Sequence, residues 1–573
     1  MAGEFQVSGR NPAALFTLKV HRGDGMALLA MNWKNGKPPN DFVGFGIEYK
    51  EPDGNRFFAL KNRLTFEGAG GAVDPTRMST LRSPIQKFRW VHFPRNAELP
   101  GEFLYRVTPV FMNEDDELSI GEPQEAAIAL MRETFPGKLN VTFTRGFVSS
   151  QAFVDHFESE GPISKLLPKK ADEGLDFVPT HPKADEALAW MGFEARHAIL
   201  ETLDQAIADN AQVRVVAYDL SEPDVVSRLE KVGSRLKVII DDSAGHGKPH
   251  SAESASAERL RATAGEDNVK RQHMLGLQHN KTIVVDGPNV KKVVCGSTNF
   301  TWRGFFVQAN NAMILEGAST VKPFLAAFDS YMDHDEPDFR ETAPAGDWQD
   351  LGLAGIDAKV TFSPHATENA LLESIAEDID GTTSCLFYSL AFLFQTPGPI
   401  RDAIKKVMHN DTLFSYGISD RKVGGGLDVQ KPDGNVSPVF PTALAKNIPE
   451  PFKKEPTGLA GGVGNRMHHK FVVIDFDKPT ARVYLGSYNF SSPADIKNGE
   501  NLLLIRDRRV ATSYVIEALR IFDHYHFRVI QEQAKKAKKK LTLAKPPRKA
   551  KEKPWWAEDY SEPRKIRDRE LFA

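Results

Sequence analysis

Two stretches decide the fold: His279-Asn280-Lys281-Thr282-Ile283-Val284-Val285-Asp286 and His468-His469-Lys470-Phe471-Val472-Val473-Ile474-Asp475. Each is followed by a second signature, Gly296-Ser297-Thr298-Asn299-Phe300 and Gly486-Ser487-Tyr488-Asn489-Phe490. The histidines, lysines and aspartates of the two copies stand 189 residues apart (468 − 279). After a one-residue insertion, Asn299 matches Asn489 and Asn310 matches Glu500 at 190 (489 − 299). So many matches at a fixed period indicate a duplicated domain. Two copies of one fold commonly pack about a pseudo-two-fold axis, which would set the two histidines face to face.

A histidine and a lysine two apart in a strand point to one face. The apolar run that follows is a buried strand, and the Gly-Ser-x-Asn element opens the next loop. Paired across the axis, the copies offer His279, His468, Lys281, Lys470, Ser297, Ser487, Asn299 and Asn489 to one pocket. Two fixed positive charges and several hydrogen-bond donors suit a tetrahedral oxyanion, meaning a phosphate. A cation is disfavoured between two ammonium groups, so no metal and no cofactor is expected there. Asp286 and Asp475 complete the motif, and their place at strand ends points to a structural duty. His469 lies on the opposite strand face from His468 and reads as packing. Phe300, Phe490 and Trp302 read as core or pocket wall, and Cys295 and Cys385 as buried hydrophobes.

The doubled HxKxxxxD…GSxN pattern resembles the phospholipase D superfamily of the two-HKD type, over roughly residues 136–535. The resemblance implies two tandem α/β/α sandwich domains and a two-step, metal-independent phosphodiester exchange. One histidine attacks phosphorus to form a phosphohistidine, and the other serves as general acid and then general base. Lys281, Lys470, Asn299 and Asn489 would hold the non-bridging oxygens, assisted by Ser297 and Ser487. The family orients each catalytic histidine with a residue about 30 positions downstream. On the aligned copies this pairs His468 with Glu500 and His279 with Asn310, or with Gln308 if the loop shifts. A carboxylate favours the imidazolium, so His468 is expected to be the acid and His279 the nucleophile. The substrate is expected to be a glycerophospholipid, with a nuclease or nucleic-acid end-processing phosphodiesterase as the alternative. A non-catalytic module with a decayed site is disfavoured, because both motifs are intact.

Outward from the motifs, residues 136–345 and 346–535 alternate strands and helices. Predicted strands are Lys138–Thr144, Val213–Tyr218, Leu236–Asp241, Lys359–Ser363, Cys385–Phe394 and Leu413–Ser419. Predicted helices are Ala187–Ile207, Glu222–Lys231, Ala366–Asp380, Pro399–His409 and Val510–Lys540. This grammar predicts a largely parallel sheet covered by helices. Residues 243–275 and 422–464 are excursions, and the character of a rim formed by them and by residues 392–400, apolar or basic, would separate a membrane interface from a nucleic-acid groove. Lys422, Lys431, Lys453 and Lys454 fall in the second.

Residues 1–130 read as a small β-sandwich, with strands near Leu15–His21, Met26–Asn32, Val43–Tyr49, Gln86–Phe93 and Phe103–Phe111. The last resembles a late strand of a fibronectin-type or immunoglobulin-like domain. Residues 536–573 form a basic tail. Ten Lys and Arg against one Glu lie between Lys535 and Lys553, which reads as a solvated end or a contact for an anionic membrane or polymer. Pro554-Trp555-Trp556 is expected to dock on the body of the protein.

The 573 residues are too many for one core. The composition is that of a globular protein, 41% apolar and 26% charged, with a net charge of −3. This excludes a polycation that binds DNA by bulk charge. Two cysteines exclude a disulfide framework. No signal peptide and no run of 18 apolar residues is found, so a cytoplasmic protein without a transmembrane segment is expected, or one exported without a signal.

Overall fold

The computed structural model describes residues 4–67, 78–94, 96–130, 133–146, 157, 159–168, 174–335, 338–391, 393, 397–420, 427–430, 436–439 and 467–573. The chain divides into two compact units. One comprises residues 1–134, 512–520 and 529–573, and the other 135–511 and 521–528.

The first unit is a β-sandwich. One sheet orders the strands Gln6–Ser8, Phe16–Gly23, Met26–Trp33 and Arg89–His92. The other orders Leu118–Ile120, Glu102–Met112, Phe42–Lys50 and Phe58–Ala59, with Gln124–Ala129 also on Glu102–Met112. Alternating Phe, Val, Tyr and Leu fill one core between them, including Phe16, Val20, Leu29, Phe45 and Tyr105. The segment read as a basic tail belongs to this unit. Trp556 is buried in the sandwich core, and Trp555 stacks on Phe88 with ring centroids 5.2 Å apart. Asp568 pairs with Arg89 at 2.7 Å. Two of the tail's cations, Lys545 and Arg548, pair with Asp116.

The second unit holds two sheets of like order. The first runs Leu139–Phe143, Asn311–Glu316, Lys291–Gly296, Lys281–Asp286, Gln212–Ala217, Leu236–Ile240 and Val269–Arg271. In the second, Asp357–Ser363, Glu500–Arg506, Arg482–Gly486, Lys470–Ile474, Cys385–Leu390 and Phe414–Asp420 repeat the first six positions. Gln349–Asp350 adds one strand at one edge, and Leu427–Gln430 and Val436–Val439 add two at the other. Helices flank both sheets, among them Ala184–Ala208, Pro223–Val232 and Ala318–Asp333 in the first half. Ala370–Asp380 and Pro399–Met408 follow in the second half, while the residues of the long helix Arg508–Lys536 are divided between the two units. The architecture is the expected tandem of α/β/α sandwiches behind a small β-sandwich.

The expected parallel sheet is corrected. The motif strands run antiparallel to both neighbours in each half. In the first sheet, parallel pairing is confined to Gln212–Ala217 with Leu236–Ile240 and Leu236–Ile240 with Val269–Arg271. The reason is local. Four residues, 287–290, join Lys281–Asp286 to Lys291–Gly296, and so short a connection makes a hairpin, whereas a parallel pair needs a long crossover. The 243–275 excursion contains the helix Ala252–Ala264, capped by the Ser251 side chain on Ser254 N. Residues 422–426, 431–435 and 440–464 of the other excursion, with Lys422, Lys431, Lys453 and Lys454, lie outside the described residues, as do 392 and 394–396. Among the described residues no helix is long and apolar enough to cross a membrane.

Candidate active site

The β-branched runs Thr282-Ile283-Val284-Val285 and Val472-Val473-Ile474 are buried parts of central strands. Each motif histidine stands two residues before the start of its strand, at the same edge of its sheet. The pseudo-two-fold brings the two edges together. His279 and His468 are 5% and 6% exposed, with ring centroids 6.4 Å apart and planes at 67°. Each lysine turns back along its strand, Lys281 Nζ donating to the His279 carbonyl and Lys470 Nζ to the His468 carbonyl.

What stands behind each histidine overturns an expectation. Glu500 does not orient His468. His279 Nδ1 donates to Glu500 Oε2 at 2.7 Å, from one half to the other. His468 Nδ1 points at two acceptors, Asn310 Oδ1 at 2.8 Å and the Ser297 carbonyl at 2.9 Å. Asn310 therefore orients His468 and not His279. The side chain of Gln308 takes no part in holding His279, and its carbonyl accepts the Thr144 hydroxyl. The exchange obeys the rule of a two-fold interface, in which residue i meets j and its copy meets the copy of j. The flanking residues follow suit, Asn501 Nδ2 donating to Asn280 Oδ1 at 2.8 Å and Asn311 Nδ2 reaching His469 Nδ1 at 3.3 Å. Paired acceptors on both Nδ1 atoms fix the tautomers and leave both Nε2 atoms for a shared ligand.

Electrostatics follow from burial. His279 is held below the ordinary imidazole range by burial and by the Lys281 and Lys470 charges, against the pull of Glu500. His468 lies well below it, through burial, both lysines and His279. Lys281 is pushed down to about 8 by burial, although Glu500, Asp219 and Asp241 favour its charge.

The remaining predicted residues divide. Ser297 and Ser487 are fully buried and serve the scaffold. Ser297 Oγ donates to Asn310 Oδ1 at 2.9 Å and accepts from Asn311 N, and Ser487 Oγ accepts from Asn501 N. Asn299 Nδ2 donates to Asp219, and the Oδ1 atoms of Asn299 and Asn489 are buried without a hydrogen-bond partner, an unpaired state that calls for an explanation. Asp286 stands at the far end of its strand from Lys281 and pairs with Lys291. Asp475, 1% exposed, accepts from the backbone N–H groups of Thr383, Ser384 and Cys385 and from the Thr383 hydroxyl. Both motif aspartates are thus placed away from the histidines. His469, Phe300, Phe490, Cys295 and Cys385 are buried, and Trp302 Nε1 is tied to the Gly174 carbonyl.

A cluster beside His279 escaped the sequence reading. His246 bridges two carboxylates, Nδ1 to Asp241 at 2.7 Å and Nε2 to Asp219 at 2.9 Å. Asp219, His246 and Glu253 hold their ligand atoms within 4.8 Å of one another, so they are the described residues that could hold a metal ion. Both nitrogens of His246 are already committed to carboxylates. The available signal was a pair of aspartates, Asp219 just past one predicted strand and Asp241 ending the next, at the carboxyl ends where α/β sheets bind ligands.

A family model described as "Cardiolipin synthase, PLD-like domain" matches residues 199–332 and 433–521, so a phospholipase D-superfamily domain is present in the chain. A phospholipase D of Rickettsia prowazekii (strain Madrid E) is 46% identical over 48 residues, 8% of this chain and 22% of that protein. A phospholipase D of Rickettsia bellii (strain RML369-C) is 28% identical over 124 residues, 20% of this chain and 58% of that protein. The chain thus spans less than two thirds of the length of these curated relatives. Among solved structures, a phosphatidylserine synthase of Haemophilus influenzae Rd KW20 is similar over 61% of this chain and 92% of its own, at 14% identity and a TM-score of 0.41.

Proposed function

We propose that this protein is a metal-independent phosphodiesterase of the phospholipase D type, working through a phosphohistidine on His279. The observation that carries the reading is the convergence of two motif histidines from opposite halves, each with Nδ1 held by the other half, which leaves the Nε2 atoms for a shared ligand. Lys281, Lys470, Asn299 and Asn489 hold the non-bridging oxygens. His279 Nε2 attacks phosphorus, the N–P bond forms, and the departing alcohol takes a proton from His468 Nε2. Water then gives a proton back to His468 Nε2 and attacks phosphorus, and the N–P bond breaks. With an alcohol in place of water the same steps give transfer.

The reason for choosing His279 as nucleophile differs from the one the sequence suggested. Phosphorylating a neutral imidazole leaves a positive ring, and the Glu500 carboxylate on Nδ1 stabilises that charge where it forms. His468 is made a strong acid by the positive charges around it, and an anionic phosphate arriving between the lysines helps it take up its proton.

The favoured substrate is a glycerophospholipid, in keeping with the names of the curated relatives. The test sets purified protein against mixed phospholipid vesicles, single-stranded DNA and double-stranded DNA, each with EDTA. Release of headgroup alcohol from vesicles, abolished in His279→Ala, is the expected result. Cleavage of DNA alone would transfer the enzyme to the nuclease class. A labelled phosphoryl adduct mapping to His468 would reverse the two histidine roles.

A further inference from the structure

Asp219 lies two residues past the strand Gln212–Ala217. Its neighbour Tyr218 donates its backbone N–H to the Asn280 carbonyl at 3.0 Å, inside the motif. The Tyr218 ring lies 4.7 Å, centroid to centroid, from both His279 and His246, and Lys281 Nζ is 4.7 Å from its centre. Asp219 is thereby set beside the phosphate pocket, where one carboxylate oxygen receives Asn299. The Asp219 side chain is 21% exposed, whereas those of Asp241 and Glu500 are fully buried.

The carboxylate is held rather than free. His246 Nε2 grips it, Asp241 grips His246 Nδ1, and Asp241 Oδ1 accepts the Gln278 N–H at 2.7 Å. Arg271 Nη2 locks the loop by donating to the Asp241 and His246 carbonyls at 2.9 and 2.7 Å. Burial would raise the Asp219 carboxyl, but the hydrogen bond and charge of His246 outweigh it and keep it ionised. Burial alone would lower His246, and the two carboxylates lift it to about 10.

A fixed negative charge beside an anion pocket looks adverse until ligands are compared by charge. A phosphodiester carries one negative charge, which two lysines can hold. A phosphomonoester carries about −1.5 to −2 at neutral pH. Coulomb repulsion from Asp219 scales with that charge, so it penalises the monoester about twice as much in free energy. In sequence the carboxylate belongs to one copy of the repeat. Ala217 pairs with Lys281 and Leu390 with Lys470, so counting two residues on makes Phe392 the sequence counterpart of Asp219.

We propose that Asp219, held by His246 and Asp241, is a specificity-determining residue that makes the pocket prefer singly charged phosphodiesters to doubly charged phosphomonoesters. The inference rests on reading the pocket as a phosphodiester site. It gives the reaction a direction, because hydrolysis turns a monoanionic diester into a dianionic monoester that the same carboxylate expels.

The experiment titrates full-length protein at pH 8 with dibutyl phosphate and with monobutyl phosphate, by calorimetry. Wild type is expected to bind the diester the more tightly. Asp219→Asn is expected to tighten monobutyl phosphate about tenfold and dibutyl phosphate about threefold, the square root that follows from half the charge. Asp219→Glu is expected to keep the wild-type order. Equal shifts for both ligands, or none, overturn the proposal. Should Asp219→Asn fail to fold, Asp219→Ser takes its place, and a wild type that binds the monoester the more tightly overturns the proposal without any variant. Wild type that binds neither ligand and cleaves no diester overturns the phosphodiesterase reading itself. Diester cleavage with the wrong ligand order sinks the role of Asp219 alone.

Discussion

The two halves of the second unit share a strand order and a motif, yet they put the shared residues to different work. Behind His279 stands a carboxylate and behind His468 an amide and a backbone carbonyl. Beside the first motif stands the Asp219–His246–Asp241 chain, while the second has Phe392 at the matching place in sequence. The motif aspartates diverge too, Asp286 in a half-exposed pair with Lys291 and Asp475 buried under three backbone N–H groups. Duplication preserves what the backbone needs for convergence. The side chains that tune each histidine are free to differ, and the proposed two-step reaction gives its two imidazoles different tasks.

The largest effect expected from breaking this comparison is on stability, at Asp475. Asp475→Ala strands three N–H groups and the Thr383 hydroxyl at the start of Cys385–Leu390. Two of these, the N–H groups of Ser384 and Cys385, are in buried hydrogen bonds, and at about 1–3 kcal/mol for each buried group left unpaired a loss of about 3 kcal/mol is expected. Urea unfolding measures it. Unchanged stability with lost activity would instead put this aspartate in the chemistry.

Next comes the pair of orienting residues. Glu500→Gln keeps the shape and removes the charge on His279 Nδ1, so kcat should fall about 10–100-fold, matching about 1.5–3 kcal/mol for a hydrogen bond to a charged group. Asn310→Ala leaves the Ser297 carbonyl on His468 Nδ1 and should cost less. The reverse order, seen in single-turnover rates, would exchange the roles of the two histidines.

A smaller effect is set by pH. In the proposed mechanism phosphate binding needs Lys281 protonated, and its pKa is pushed down to about 8 by burial. As pH rises through about 8 the ammonium is lost, so KM should climb on the alkaline side while remaining flat below it. Lys281→Arg stays charged at that pH, so its lower activity should show no such limb in a KM profile.

Much of this was legible in the residues. The period of 189 announced the duplication, and the β-branched runs after each lysine announced the buried strands. The β-sandwich was marked by Phe, Val and Tyr strands broken at Asp-Gly and Pro. The orientation of the histidines was not legible, because a two-fold axis makes pairing within a half and pairing across halves equally consistent with one alignment. Sheet direction was missed because a four-residue turn after Asp286 was weighed less than the alternation of strands and helices. His246 was invisible because its meaning comes from two aspartates 27 and 5 residues before it in the chain (246 − 219 and 246 − 241), joined to it only by the fold.

The smallest effect is expected at Asp286, and its smallness is informative. Asp286 ends the strand that Lys281 begins. Five residues at about 3.3 Å each put it roughly 16 Å from the lysine. Its partner Lys291 lies across a surface hairpin, with both side chains 37% exposed, and exposed pairs contribute about 0–1 kcal/mol. Asp286→Ala should therefore shift the urea midpoint by little and leave kcat and KM at wild-type values, in contrast to Asp475→Ala at the equivalent position. A large drop in kcat with folding intact would mean that the aspartate of the first motif reaches the reaction after all. That result would restore to the motif the chemical equality of its two copies, which this pair of variants is designed to deny.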